Sequence, residues 1–368
     1  MITFNKVGYK YFNNIPYYFS LFFILICFFV SIFSFFIIPD KTINANTMNL
    51  SIQSMKPGFN VDVLTVPNFE NKSLKSYFFG LDKPVEQYPI NNYWFSNDSI
   101  NFTLYNKFGE NSETKSIHLN KFGKYIESNI QNNVQINQSQ IANNYVTNKT
   151  FLFGTDIYGR DLFSRVLLGT RVSLSIGIMA VLISTFIGLF FGSLGGYYGG
   201  LIDKIVVYII NVFWSIPTLL LVIAISLSLG KGFWQVYVAI GFSVWVDVAR
   251  LVRGKVISEK NKDYISASKI LGFNNFRIIV SHILPNITGP ILIIAAANFA
   301  SSILLESGLS FLGIGTQPPL PSWGYMIKEN YQYIILGNAY LALTPAICLV
   351  LLVSSFMFIS NYHSEKKL

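Results

Sequence analysis

Two carboxylates, Asp247 and Glu306, lie inside otherwise apolar stretches. A carboxylate at membrane depth is costly and tends to handle a solute or a proton. Glu306 either lines the outer part of a pathway or holds the loop that follows it. Asp247 has such a role or pairs with Arg250 or Arg253. Pro217 sits in another apolar stretch, after Trp214-Ser215-Ile216, where it removes a backbone donor and bends the helix. That bend lines a pathway or is a packing kink. The Gln317–Gly324 loop carries Pro318, Pro319, Pro321 and Trp323. It forms part of an external gate or sets the turn back into the last apolar segment. Enzyme chemistry lacks its parts. His118, His282 and His363 are scattered, no Cys/His spacing suits a metal, and no histidine falls in a span. Gly230-Lys231 is followed by Gly232, so the phosphate-cradling G-x-x-x-x-G-K-[ST] pattern is absent. ATP hydrolysis would have to come from a separate chain.

A second kind of candidate is mechanical. In residues 263–285 (DYISASKILGFNNFRIIVSHILP), Tyr264, Ala267, Ser268 and Leu271 follow i, i+3, i+4, i+7 spacing and share a helix face. Ala267 and Ser268 keep that face low enough for close approach by another protein. Gly272 suits a left-handed helix end. Asn274 can cap a second short helix with Phe276, Ile279, Val280 and Ile283 as its apolar side. Pro285 is expected to stop that helix and begin the next span. The product is a helix–glycine–helix elbow, or else an amphipathic loop lying on lipid.

The elements that must position these residues are spans. Of 368 residues, 52% are hydrophobic and only 12% charged, which excludes a soluble enzyme and a disordered chain. Apolar runs at 18–38, 172–195, 205–229, 234–250, 287–306 and 338–360 predict six transmembrane helices. Cys27 and Cys348 lie in two of them and are read as small packing residues. The first run follows Lys6 and Lys10 and has no cleavage-like site after it, so it reads as an uncleaved helix with a cytoplasmic N-terminus. Six spans then return the C-terminus to the cytoplasm. They also place the 250–285 loop there, with Arg250, Arg253, Lys255, Lys260, Lys262, Lys269 and Arg277 against Glu259 and Asp263. The net charge of +9 is therefore explained by loop sidedness without nucleic acid. Residues 41–150 differ: polar, Asn-rich, with ten Lys and no Arg. Ser99–Tyr105 alternates as a strand, and Ile117 and Leu119 suggest a second one after the Lys107–Thr114 turn. Residues 125–150 read as a tether. The expected domains are a cytoplasmic N-terminus with the first helix (1–40), an extracytoplasmic insert (41–150) and a five-helix core (151–368). Asp161 and Arg165 have i, i+4 ion-pair spacing. The 155–171 segment anchors the second span or contacts substrate.

Three motifs carry a resemblance. Ser266-Ala267-Ser268, Gly272 and His282-Ile283-Leu284-Pro285 resemble the "EAA" loop of binding-protein-dependent ABC importer permeases. Gly154-Thr155-Asp156-Ile157-Tyr158-Gly159-Arg160-Asp161 with Ser164-Arg165 resembles the dipeptide/oligopeptide branch. So does Ser310-Phe311-Leu312-Gly313-Ile314-Gly315 with Gln317-Pro318-Pro319 and Pro321-Ser322-Trp323-Gly324. The likeness covers about residues 151–360 and the first span, and is to the second permease subunit of such systems. It implies an all-α polytopic membrane protein with a type I importer fold and a β-containing insert. It implies a peptide pathway shared with a related permease as a pseudo-symmetric heterodimer. It also implies two cytoplasmic ATPases that use ATP and Mg, an extracytoplasmic binding protein, and no cofactor on this chain. The coupling residues it implies are Ser266, Ala267, Ser268, Gly272, His282, Leu284 and Pro285. Pro217, Glu306 and Trp323 are the pathway or gate candidates. The family's loop Glu is Ser266 here and its second Ala is Ser268, so Glu259 or Asp263 would have to replace any ion pair. The insert is longer than in the family pattern.

Two other readings compete. An ion-driven secondary transporter expects inverted repeats and ionisable sites near the midplane, and no clear repeat is visible. An intramembrane enzyme needs a nucleophile–base set or a metal site within the spans.

Overall fold

A computed structural model of the chain describes residues 15–67, 74–81, 85–96, 98–107, 113–122, 138–230 and 232–365. Lys6 and Lys10 lie outside these residues, as do 108–112 of the expected turn and 125–137 of the expected tether. In chain order the elements are α1 (Ile15–Ile37), β1 (Phe59–Val66), α2 (Leu74–Phe79), β2 (Glu86–Ser96), β3 (Ser99–Leu104), β4 (Thr114–His118), α3 (Gln138–Tyr145), β5 (Val146–Phe151), α4 (Leu162–Tyr198), α5 (Gly200–Ser215), α6 (Thr218–Leu229), α7 (Phe233–Lys260) and α8 (Asp263–Ile270). A helical turn at Asn275–Arg277 then runs through a π-helical stretch, Ile278–Ile283, into α9 (Leu284–Leu312). α10 (Trp323–Asn330) and α11 (Tyr340–Glu365) follow. Two compact units result: Met1–Phe29 with Thr170–Lys328 and Pro345–Leu368, and Val30–Gly169 with Glu329–Thr344.

The first unit is helical. Among the described residues, five helices are long and apolar enough to cross a membrane, and a sixth span exists if the bent pair α5–α6 counts as one. α4 runs 37 residues, about 55 Å at the α-helical rise, so it outruns a hydrocarbon core of about 30 Å. Its tightest contact is with α7. A Cβ built on Gly188, Gly192 or Gly196 would lie 2.5–2.8 Å from the Cβ of Val248, Val252 or Val256 respectively. Glycines spaced every four residues let two backbones approach where lipid supplies no hydrophobic drive between helices. Gly192→Leu is expected to remove about 3 kcal/mol by overpacking. Thermal unfolding of the purified protein in detergent reads this, and an unchanged midpoint would refute the close-packing account.

Pro217 does more than bend its segment. α5 ends at Ser215, α6 begins at Thr218, and the two helices meet at 90°. Proline removes a donor and forces Ile216 to an extended ψ of 128°. Cys27 and Cys348 are free thiols within this unit.

The second unit carries a five-stranded antiparallel sheet, ordered β4-β3-β2-β1-β5. The expected strands are present as β3 and β4, with Ile100 opposite Ile117. Leu64, Val66, Ile90, Ile100, Phe102 and Ile117 pack one core with Phe122 and Ile141. Val61 and Val63 point to the opposite face, with Ile52, Met55 and Phe151. The tether reading is corrected for its described part: Gln138–Tyr145 is helix and Val146–Phe151 is a strand paired with β1, Phe59 opposite Phe151. Val146, Thr147 and Thr150 suit a strand, but hydrogen bonding to β1, far earlier in the chain, decides the conformation.

Candidate functional site

The elbow begins where α7 ends. Glu259 accepts from Lys262 Nζ at 2.6 Å and from the Tyr264 hydroxyl at 2.6 Å, which ties α8 back to α7. Burial raises the Tyr264 hydroxyl above its ordinary pKa, and the Glu259 carboxylate adds to that. Hydrogen bonding to Glu259 raises Lys262. Asn286 Nδ2 donates to the Tyr264 oxygen at 3.0 Å and to the His282 carbonyl at 2.8 Å. Ser268 Oγ donates to the Tyr264 carbonyl at 2.8 Å.

α8 ends in a glycine-terminated cap. Gly272 has φ +80°, Phe273 N donates to the Ser268 carbonyl at 3.2 Å, and Gly272 N donates to the Lys269 carbonyl at 3.0 Å. This pair of bonds satisfies carbonyls that the helix end would orphan. Asn274 caps the next turn by accepting from Arg277 N at 2.8 Å. Tyr197 donates to Asn275 Oδ1 at 2.8 Å. Phe273 stacks on His282 with centroids 5.5 Å apart, and Arg277 covers the other ring from 4.4 Å.

Beneath this, Ile265, Ile278, Ile279 and Ile283 pack on Val252, Val256, Ile287 and Ile291. The chain does not stop at Pro285. It stays helical from Asn275 to Leu312, and Pro285 falls in the first turn after the π-helical stretch, where no intrahelical donor is needed. The faces differ from the periodicity reading in consequence. Ile265 and Ser268 turn inward, and Ile278 joins Ile279 and Ile283 in the core. Ser266, Ala267, Ile270, Leu271 and Phe276 remain open, with Ile270, Leu271 and Phe276 at 88%, 71% and 74% exposure. Leu284 is half-buried and Pro285 exposed. Periodicity missed Ile270 because it lies outside the spacing used for the first face.

Glu306 and Trp323 are enclosed, at 0% and 1% exposure. Ser310 Oγ and Thr316 Oγ1 donate to Glu306 Oε1 at 2.7 and 3.2 Å. Thr316 N donates to Ser310 Oγ at 3.0 Å, and the Thr316 and Ser322 hydroxyls are 2.5 Å apart. Of its two sequence readings, Glu306 takes the one that holds the following loop. Gly313 closes α9 with φ +84°, and Gln317 Nε2 donates to the Gly313 carbonyl at 2.9 Å. Asp247 pairs with neither expected arginine. Arg253 binds Asp203 through two bonds of 2.5 and 2.6 Å, and Arg250 lies 3.6 Å over the Trp214 ring.

The GTDIYGRD motif is an anchor in the second unit. Thr155, Asp156, Arg160, Asp161, Ser164 and Arg165 are all buried. Asp156 accepts from Arg160 Nε at 2.5 Å and lies 3.5 Å from Arg165 Nε. Glu329 lies 2.9 Å from Arg160 and 3.5 Å from Arg165. Arg160 also donates to Asn46 Oδ1 at 3.1 Å. The expected Asp161–Arg165 pair gives way to this four-charge cluster, while Asp161 accepts from Ser164 Oγ and Ser164 N. Burial raises the Asp161 carboxyl above the usual carboxylate range. Sequence spacing had no means to find Glu329, which is 169 residues from Arg160.

A bundle of membrane-length helices with a braced elbow between two of them defines a polytopic transport component. The chain belongs to the family described as binding-protein-dependent transport system inner membrane component, whose model matches residues 164–368. It is 40% identical over 221 residues to the dipeptide transport system permease protein DppC of Bacillus subtilis (strain 168), covering 60% of this chain and 69% of that one. It is 39% identical over 182 residues to the oligopeptide transport system permease protein OppC of the same organism, covering 50% and 60%. It is 38% identical over 198 residues to the glutathione transport system permease protein GsiD of Pectobacterium atrosepticum, covering 54% and 65%. A chain of the inward-facing MetNI methionine ABC transporter matches 55% of this chain and 95% of its own, at 21% identity and a TM-score of 0.46. The chain is a multi-pass inner-membrane transport permease rather than an enzyme, and family membership disfavours the ion-driven reading.

Proposed function

We propose that this chain is one of two permeases in an ATP-driven importer of peptides, and that the elbow is where it meets its motor. The carrying observation is the elbow's construction: anchored on its inner side by Ile265, Ile278, Ile279 and Ile283, and open on its outer side at Ala267, Ile270, Leu271 and Phe276. A rigid lever with an apolar tip is what transmitting a push requires.

In this reading the tip docks in a cleft of a cytoplasmic ATPase. Two such ATPases bind and hydrolyse ATP with Mg, and this chain binds no cofactor. Ser266 and Ala267 lie on the open side, and Gly272 sets the elbow's angle. Ser268, His282, Leu284 and Pro285 carry the angle into α9. Glu259 is occupied by Lys262 and Tyr264, so docking rests on the apolar tip rather than on a carboxylate at the loop start. A related permease completes a pseudo-symmetric heterodimer, and an extracytoplasmic binding protein delivers substrate. Both termini and the basic 250–285 loop face the cytoplasm, as their charge favours. Residues 41–150 form the insert on the opposite side, between the first helix (1–40) and the core (151–368). Pro217 belongs to the pathway, and Glu306 and Trp323 hold its outer loop. The printed substrates of the relatives support peptides as the substrate class.

Co-purification tests the docking. Leu271→Asp is expected to weaken ATPase association at least about tenfold, the scale of losing one apolar anchor at an interface centre. Undiminished co-purification with intact uptake would refute the elbow's role.

A further inference from the structure

The Pro217 break has a second consequence. Phe213, Trp214, Ile216 and Thr218, around the break, face Ser243 and Asp247 of α7 across a cavity of about 180 Å³. Asp247 is the fifteenth of α7's 28 residues, near the middle of a membrane-length helix. Among the described residues, no cation lies within ion-pair distance of its carboxylate. Arg253 is held by Asp203. Arg250 is stacked on Trp214 and donates to Asn211 at 3.4 Å. Ser243 Oγ is turned to the Ala239 carbonyl.

An unpaired carboxylate in such a segment is expensive and calls for a partner. The break supplies a matching field. α5 ends there, and the last carbonyls of a helix are partly unsatisfied and form the negative end of its dipole. Carboxylate and helix end thus converge on one small cavity, as broken helices do where they hold cations at membrane depth.

We propose that this cavity binds a primary ammonium group, and that in transport it receives the free amino terminus of a peptide. The step is non-covalent. The ammonium donates to Asp247 and to carbonyls at the end of α5, and its stem lies along Trp214 and Ile216. The peptide part of this assignment rests on the permease reading above; the cation site itself does not.

The test uses the assembled transporter in proteoliposomes, with Cys27 and Cys348 replaced by Ala and Thr218→Cys as reporter. Modification by a cationic aminoethyl thiosulfonate is expected about tenfold faster than by an anionic sulfonatoethyl one, as charge at a desolvated site dictates. Asp247→Asn brings the two rates together, and Asp247→Glu restores the difference. A tripeptide with a free amino terminus slows modification, and its N-acetylated form does not.

Equal rates with Asp247 in place would overturn the proposal, as would a preference that survives Asp247→Asn. A preference that depends on Asp247 but is insensitive to both peptides would also overturn it, assigning the carboxylate to a cation of a neighbouring subunit. If the unmodified assembly takes up no peptide at all, the permease reading fails, while the rate ratio still reports on the cation site.

Discussion

Glu329→Gln is expected to destabilise the protein by about 3–5 kcal/mol, the range for breaking a buried ion pair from one side. Two guanidiniums, those of Arg160 and Arg165, would then share Asp156 alone in a site where all four side chains are at most 9% exposed. The loss arises from the uncompensated charge left behind rather than from the bond removed. Removing that charge as well should recover part of it, so Glu329→Gln with Arg165→Met should cost less than the two single changes together. Thermal unfolding of the three variants in detergent measures the coupling. Strict additivity would mean that Glu329 and Arg165 do not act as a unit.

Gly272→Val is expected to lower ATP-driven uptake about tenfold or more, within the usual range of coupling energies between sites. The backbone at Gly272 has φ +80°, and nothing lies within 4 Å of a Cβ placed there. The defect would therefore come from a β-branched residue forced into the left-handed region and not from crowding. The capping bonds to Ser268 and Lys269 would be lost, and the angle between α8 and the following turn would change. Insertion in the membrane and basal ATP hydrolysis should persist. Gly272→Asn, which tolerates that conformation, should retain most of the uptake. Equal uptake by the Val variant would separate the elbow's angle from transport.

What could be read in advance followed locality. The spans were visible because long uncharged runs have few alternatives, and Gly272 and Asn274 because capping depends only on near neighbours. The continuous helix through Pro285 was not visible. Proline at a helix start and proline ending one helix before another look alike in sequence, and the π-helical stretch that rotates the packed face has no composition signal. β5 was hidden by its asparagine-rich surroundings, since its partner β1 lies some 85 residues earlier. The fate of Asp247 turned on Arg250 choosing an aromatic ring 36 residues away. Glu329 carried no hint of the two arginines it neutralises. Charges reveal their number in a sequence, but burial and long-range pairing decide their partners.

The pairing of β1 with β5 bears on the history of the insert. Leu64 lies opposite Val146, so the chain leaves and re-enters the sheet at adjacent points about 5 Å apart. Everything between them is an excursion whose two ends already touch. Lengthening it adds only the slow logarithmic entropy of a larger loop and leaves the spacing of the flanking strands unchanged. The junction behaves as a socket: it can accept modules of different size and surface while the strands that hold them keep their register.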